Sequence, residues 1–296
     1  MSEPDPAAGF EPHRRRLKAL AYRMLGSVAE AEDVVQEAYL RWHGAERGGV
    51  ADPAAFLTRV VSRLCLDQLR SARARREQYV GPWLPEPVLD VAALNAETAS
   101  EYAEDLTVAL MLALERLSPL ERAAFLLHDV FEVDFPELAE TLGRNQAACR
   151  QLAARARSHI REARPRFTVS ADDGARMAEA FLDAVRTGDA AGLARLLAAD
   201  AVMHTDGGGK RLAALNPIFG ADKIIRFMVG LVGKLEEPDG FTYQPVWING
   251  LPGYLVIWPD GEIQTVAMEI AEGAITAIYS VRNPDKLRHI APAGTA

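Results

Sequence analysis

Residues 132–158, EVDFPELAETLGRNQAACRQLAARARS, decide the fold of the first half of the chain. Asp134 is placed to cap a helix, and Glu137, three positions on, can reach back to close a capping box. Pro136 in the first turn gives up only a donor that would be unpaired anyway. The helix stops at Gly143. Leu138, Ala139 and Leu142 form its apolar stripe, with the small Ala139 where a second helix crosses closely. Asn145 can cap that second helix, whose Cys149 and Leu152 continue the core. This is the pattern of a helix-turn-helix. Left facing outward on the second helix are Gln146, Ala147, Arg150, Gln151, Ala154, Arg155 and Arg157, the types that reach base edges and phosphates in a major groove. Arginine-rich amphipathic helices are commonly no more than solvated faces. Here residues 144–166 carry seven Arg and one acid in a chain of net charge −8, so positive charge is concentrated, which favours DNA as the partner.

The rest of the composition bounds the answer. A chain of 296 residues with 49% hydrophobic content has room for two or three domains. Residues 78–143 hold two basic side chains against thirteen acidic ones, so the overall acidity hides the basic helix rather than arguing against it. Cys65 and Cys149 each sit in an apolar helical pattern, which reads as small core residues in a reducing compartment, with neither a disulfide nor a metal site. No apolar run approaches the ~20 residues of a membrane span. The N-terminal MSEPDPAAGFEPHRRR lacks the basic-then-apolar order of a signal peptide, so a cytoplasmic protein without membrane contact is expected.

Upstream, residues 11–25 and 28–43 show helical periodicity through Leu17, Leu20, Ala21 and Met24, then Val34, Val35, Ala38, Tyr39 and Trp42. Gly26-Ser27 separates them. A longer helix is expected from Pro53 to Arg76, with Phe56, Val60, Leu64, Leu66 and Leu69 inward. Arg59, Arg63, Arg70, Arg73, Arg75 and Arg76 lie on its outer side. This is a second basic surface. Residues 78–105 read as a linker, yet its Trp83-Leu84-Pro85 is too apolar for a passive tether and predicts docking on another surface, with a local staple onto the preceding helix as the alternative. Residues 106–130 return as two apolar helices broken at Ser118-Pro119. From about Ser170 the pattern becomes two helices, a strand ending in three glycines, a helix at 222–234, and β-rich runs at 241–248, 253–258, 262–270 and 274–282. Helices followed by an antiparallel meander make an α+β domain.

With these parts placed, residues 1–166 resemble the extracytoplasmic-function sigma factors of bacterial RNA polymerase. The stretches GSVAEAEDVVQEAYLRWH and FLTRVVSRLCLDQLRSARARR look like region two. LSPLERAAFLLHDVFEVDFPELAETLGRNQAACRQLAARARSHIR looks like region four. The last 130 residues or so are similar to a SnoaL-like (nuclear-transport-factor-like) cone, and WLPEP at 83–87, DGGGK at 206–210 and NPDKL at 283–287 carry a closer likeness to the SigJ-type subgroup. The resemblance implies a multidomain chain: region two at 9–77, a linker at 78–105, region four at 106–166 and a regulatory SnoaL-like domain at 170–296.

It further implies that Asp33, Gln36 and Glu37 grip core RNA polymerase at its β′ clamp helices, with the β flap as a second contact. The arginine helix carrying Arg59, Arg63, Arg70 and Arg73 would open the minus-ten element, and the helix with Gln146, Ala147, Arg150, Gln151, Arg155 and Arg157 would read the minus-thirty-five element of promoter DNA. Arg63 stands where many family members have Asn. The C-terminal extension would replace a separate anti-sigma factor, acting on the sigma domains through Trp83, Leu84, Pro85, Asp206, Gly207, Gly208, Gly209 and Lys210, with Lys210 meeting the acidic segment 78–143. The free protein is expected to be a monomer.

DGGGK lacks the spacing of a phosphate loop. His204 and Asp206, two apart on a strand, share a face and suggest an acid–base pair in a pocket, so the rival reading is an enzyme or small-molecule sensor delivered to DNA. Fold alone assigns no chemistry. The balance of residues favours a regulator with no catalytic residue, cofactor or metal.

Overall fold

The computed structural model describes residues 6–45, 50–89, 107–161, 170–233 and 241–290. The expected linker from 90 onward lies outside them, as do the side chains of 71–77. The chain forms two units: Met1–Gln78 with Leu110–Arg164, and Tyr79–Ala109 with Pro165–Ala296. The WLPEP motif thus belongs with the C-terminal domain, and the two sigma-like regions share one body. No helix of the described residues is long and apolar enough to cross a membrane.

In the first unit α1 (Pro6–Leu25), α2 (Val28–Gly44) and α3 (Pro53–Glu77) pack together. Ser27 caps α2 by accepting from the Glu30 N–H at 3.2 Å. Leu17, Leu20 and Met24 meet Val34, Val35, Ala38 and Trp42 in the core. On α3 the buried row is Leu57, Val61, Cys65 and Leu69, not the expected Phe56, Val60 and Leu64, which sit half-buried on its shoulder. The inward arc also takes in Thr58 and Ser62, because Ser62 Oγ donates to the Thr58 carbonyl at 2.7 Å and arrives inside already hydrogen-bonded.

Region four is built from α4 (Val108–Glu115), α5 (Pro119–Phe125, continued as a π turn to Val130), α6 (Phe135–Leu142) and α7 (Gln146–Arg161). Ser118 and Glu121 form a complete capping box at α5. At α6 only half of the expected box forms: Asp134 accepts from the Glu137 N–H at 2.9 Å. Gly143 ends α6 in the left-handed conformation (φ 62°), and Asn145 accepts from the Ala148 N–H at 2.8 Å to start α7. Both cysteines are free and buried.

The second unit is α+β. Helices α8 (Ala171–Arg186), α9 (Ala190–Leu196) and α10 (Ala221–Val232) pack on a six-stranded sheet of order β2-β1-β6-β5-β4-β3. The strands are β1 (Leu197–Asp206), β2 (Ile218–Phe219), β3 (Thr242–Ile248), β4 (Leu251–Ile257), β5 (Ile263–Ala271) and β6 (Ala274–Val281). Turns Asn249-Gly250 and Glu272-Gly273, with positive φ throughout, close the β3–β4 and β5–β6 hairpins. β1 runs parallel to β6 (Met203 opposite Ile278, Asp206 opposite Val281). Side chains therefore alternate: Ala201 and Met203 face the helices, whereas His204 and Asp206 face away.

One buried cation ties the first unit together. The Arg122 guanidinium donates to the carbonyls of Leu114 (2.9 Å) and Met24 (2.7 Å) and to the Glu115 carboxylate (2.7 Å), linking α5 to α4 and α1. Burial brings its pKa down to about 10, still charged at neutral pH. Arg122→Met leaves Glu115 and two carbonyls without their donor, and urea unfolding should show a loss of about 3–5 kcal/mol, with Arg122→Lys retaining part of it.

Candidate functional site

Three surfaces carry the residues singled out from the sequence. On α7, Gln146, Ala147, Arg150, Gln151 and Arg155 are exposed on one side while Cys149, Ala153, Ala156 and Ile160 are buried on the other. Arg150 is held ready: its guanidinium lies 5.1 Å from the Phe135 ring and donates to Gln146 Oε1 at 3.3 Å. Arg157, expected as a phosphate contact, pairs instead with Asp129 at 2.6 Å and is half-buried. It braces α7 against the π turn.

The region-two arginines are also divided. Arg59 pairs with Glu140 at 3.0 Å, and Arg63 donates to the backbone carbonyls of Glu140 (3.0 Å) and Thr141 (3.4 Å), all on α6. Arg70 is exposed and pairs with Asp67 at 3.3 Å; the Arg73 side chain lies outside the described residues. On α2, Asp33 and Gln36 are exposed. Glu37 beside them pairs with Arg41 at 2.9 Å, and Val34, Val35 and Ala38 are buried opposite. This leaves an acidic ridge with i, i+3, i+4 spacing.

The third surface is within the C-terminal unit, where WLPEP, DGGGK and NPDKL converge on Asp206. That carboxylate has no exposure to solvent. Oδ1 accepts from the Tyr79 hydroxyl (2.5 Å) and the Gly208 N–H (3.1 Å), and Oδ2 from the Leu84 N–H (2.9 Å) and Lys286 Nζ (2.7 Å). Four donors thus occupy both oxygens. Its backbone carbonyl takes the N–H groups of Arg282 (2.7 Å) and Asn283 (3.0 Å). Lys286 also donates to the Leu84 carbonyl and stands 4.2 Å from the Trp83 ring and 4.8 Å from the Tyr79 ring. Asn283 Nδ2 donates to the Tyr79 hydroxyl at 2.8 Å. Burial, then the neighbouring Asp206, pushes the Tyr79 phenol well above its usual range.

Further along, His289 meets the Pro87 carbonyl at 2.8 Å, and Val88 exchanges backbone and side-chain bonds with Asn249. Residues 79–89 are thereby clamped along the sheet. The glycines are required for this closeness: a Cβ on Gly208 would lie 2.2 Å from Asn283 Nδ2, and one on Gly209 would press on Val80 at 3.2 Å.

Two expectations are corrected. Among the described residues Lys210 pairs with Asp285 and not with an acid of the segment 78–143, because the Gly208-Gly209 turn folds it back over the Pro284–Lys286 turn. His204 and Asp206 do share a face, but Met203 and Thr205, of the opposite parity, line the cavity of this domain. His204 instead stacks on Tyr279 at 5.6 Å, and Asp206 is spent on the clamp, so the pair is no acid–base couple in a pocket. Sequence reading missed Tyr79, Asn283 and Lys286. Their only sequence signal was proximity to WLPEP and membership of NPDKL.

The Sigma-70 region 2 model matches residues 10–75, and the Sigma-70, region 4 model matches residues 107–160. The ECF RNA polymerase sigma factor SigJ of Mycobacterium tuberculosis (strain ATCC 25618 / H37Rv) is 41% identical over 291 residues, spanning 94% of this chain and 91% of that protein. The probable ECF RNA polymerase sigma factor SigI of Mycobacterium tuberculosis (strain CDC 1551 / Oshkosh) is 38% identical and covers 97% of each. The crystal structure of the Mycobacterium tuberculosis extracytoplasmic function sigma factor SigJ superposes with a TM-score of 0.75 at 36% identity, covering 95% of this chain and 98% of that one.

Asp206→Asn keeps the shape at the hub but removes the charge that balances buried Lys286. Hydrogen exchange at residues 79–89 should quicken, reflecting a local loss of about 3–5 kcal/mol, while amides of α7 keep their protection.

Proposed function

The chain belongs to the extracytoplasmic-function RNA polymerase sigma factors, and from that premise we propose that it is a promoter-specificity subunit regulated in cis by its C-terminal SnoaL-like domain. The acidic ridge Asp33, Gln36 and Glu37 engages the β′ clamp helices of core polymerase, and region four meets the β flap. The exposed face of α7 enters the major groove of the minus-thirty-five element, with Arg150 and Gln151 at base edges and Arg155 on phosphate. The α3 arginines serve the minus-ten element. Arg59 and Arg63 already donate to α6, so DNA at the minus-ten element competes with α6 for these guanidinium groups and promoter opening draws α3 away from α6.

The observation that carries the regulatory half is the buried Asp206 hub. It fastens the segment joining regions two and four to the C-terminal domain, so the domain controls how freely those regions separate, in place of an anti-sigma factor. On this reading the protein is a cytoplasmic monomer when free and does no chemistry of its own. The enzyme alternative has lost its basis in His204 and Asp206, whose side chains lie on the face opposite the cavity.

In vitro transcription with core polymerase tests the whole. Arg150→Ala or Gln151→Ala should relax discrimination at a contacted base pair by about 1–3 kcal/mol, measured as competition between promoter variants. Equal use of all promoters by parent and variant would remove the docking of α7. Reversing charge at Asp33 and Glu37 should abolish co-purification with core polymerase while circular dichroism stays unchanged. Trp83→Ala and Lys286→Met should change the yield of initiation without altering promoter preference, and an unchanged yield would sink regulation through the clamp.

A further inference from the structure

The face of the sheet opposite the clamp encloses a cavity of about 390 Å³ that the sigma reading leaves unused. Its volume is that of a small-molecule site. Met203, Phe227, Tyr254, Val256 and Val266 make it mainly apolar. Two polar groups on its wall are unusual. The Trp258 indole N–H is buried with no hydrogen-bond partner among the described residues, and Arg282 lies beside it, 5.2 Å from the Trp258 ring. Arg282 is half-buried, has no carboxylate within ion-pair distance among the described residues, and spends one donor on the Leu212 carbonyl at 2.9 Å. A desolvated cation and an unpaired donor on an apolar wall suit a ligand that is apolar in bulk and anionic at one end.

The same wall touches the clamp. Thr205 lines the cavity and its neighbour Asp206 is the hub. Arg282 lines the cavity while its own N–H holds the Asp206 carbonyl at 2.7 Å. Leu212 and Ala213 line the mouth on the loop whose glycines press on Tyr79 and Val80, and Thr205 Oγ1 accepts from the Ala214 N–H at 2.8 Å to brace that loop. An acid that engages Arg282 competes with the Leu212 carbonyl for the guanidinium and so bears on the loop that packs against the linker.

We infer that this cavity is a receptor site for a small apolar acid, held by Arg282 and the Trp258 N–H, and that its occupation is transmitted through residues 205–214 to the linker clamp. The second half rests on the regulatory reading of the clamp; the first does not.

The test uses the full-length chain, with 1-anilinonaphthalene-8-sulfonate as fluorescent probe and decanoate or decan-1-ol as competitor. One saturable site is expected, with decanoate displacing the probe about tenfold better than the uncharged alcohol. Arg282→Gln should erase that preference. Trp258→Phe should weaken decanoate severalfold. Gly230 lies on the cavity wall, and a side chain added there meets open space, so Gly230→Leu should fill the site and cut binding at least about tenfold without unfolding the chain. No saturable binding, or binding indifferent to both Gly230→Leu and Arg282→Gln, would overturn the site. Decanoate should also change hydrogen exchange at residues 79–89 in the parent and not in Gly230→Leu. Saturable binding with unchanged exchange there would overturn the transmission. If exchange responds but initiation by core polymerase does not, the inference stands and the regulatory reading of the clamp fails.

Discussion

A carboxylate without solvent needs partners on both oxygens, and Asp206 is matched by groups from two distant segments and from the adjoining loop. Tyr79 and the Leu84 N–H come from the linker, Gly208 from the adjoining loop, and Lys286 from the turn after β6. Desolvating such a pair costs several kcal/mol, repaid only when the geometry is complete. The hub is therefore cooperative: releasing the linker takes two donors from Asp206 and the Leu84 carbonyl from Lys286, and losing Lys286 leaves the Asp206 charge unbalanced. Such an element suits a regulated tether, because a small bias moves it between two states rather than along a continuum.

Strand alternation then separates two tasks on one strand. At the end of β1, Met203 and Thr205 line the cavity, while His204 and Asp206 lie on the other face, where Asp206 meets the linker. Neighbouring residues Thr205 and Asp206 therefore serve opposite faces at one backbone step apart. The run of glycines that follows lets the chain turn tightly enough to touch Tyr79, Val80 and Asn283 while Leu212 and Ala213 return to the cavity mouth. A side chain at those positions would hold the two faces apart.

Arginine in the first unit does several jobs that composition cannot distinguish. Arg122 is an internal fastener, Arg157 braces the helix-turn-helix, and Arg59 and Arg63 hold α3 against α6. Arg150 and Arg155 stand exposed on α7. The excess of positive charge near α7 is thus smaller than a count suggests, and part of the basic surface of α3 is turned toward α6.

The features legible in the amino-acid order are those decided over a few residues. The caps at Ser118, Asp134 and Asn145, the left-handed stop at Gly143 and the turns at Asn249-Gly250 and Glu272-Gly273 all form as local hydrogen bonding and φ preference require. The outward face of α7 follows from a period of 3.6, and the shared face of His204 and Asp206 from a period of 2. Periodicity was a weaker guide on α3, where Thr58 and Ser62 are buried, the Ser62 hydroxyl donating to the Thr58 carbonyl, and widen the buried arc beyond the apolar residues. Only the tertiary structure decided that β1 lies parallel beside β6, which face of β1 bounds the cavity, and that Lys210 turns to Asp285. It alone brought Tyr79, Asp206, Asn283 and Lys286 together. Those outcomes depend on which distant groups can jointly satisfy a buried charge, a condition that no window of neighbouring residues contains.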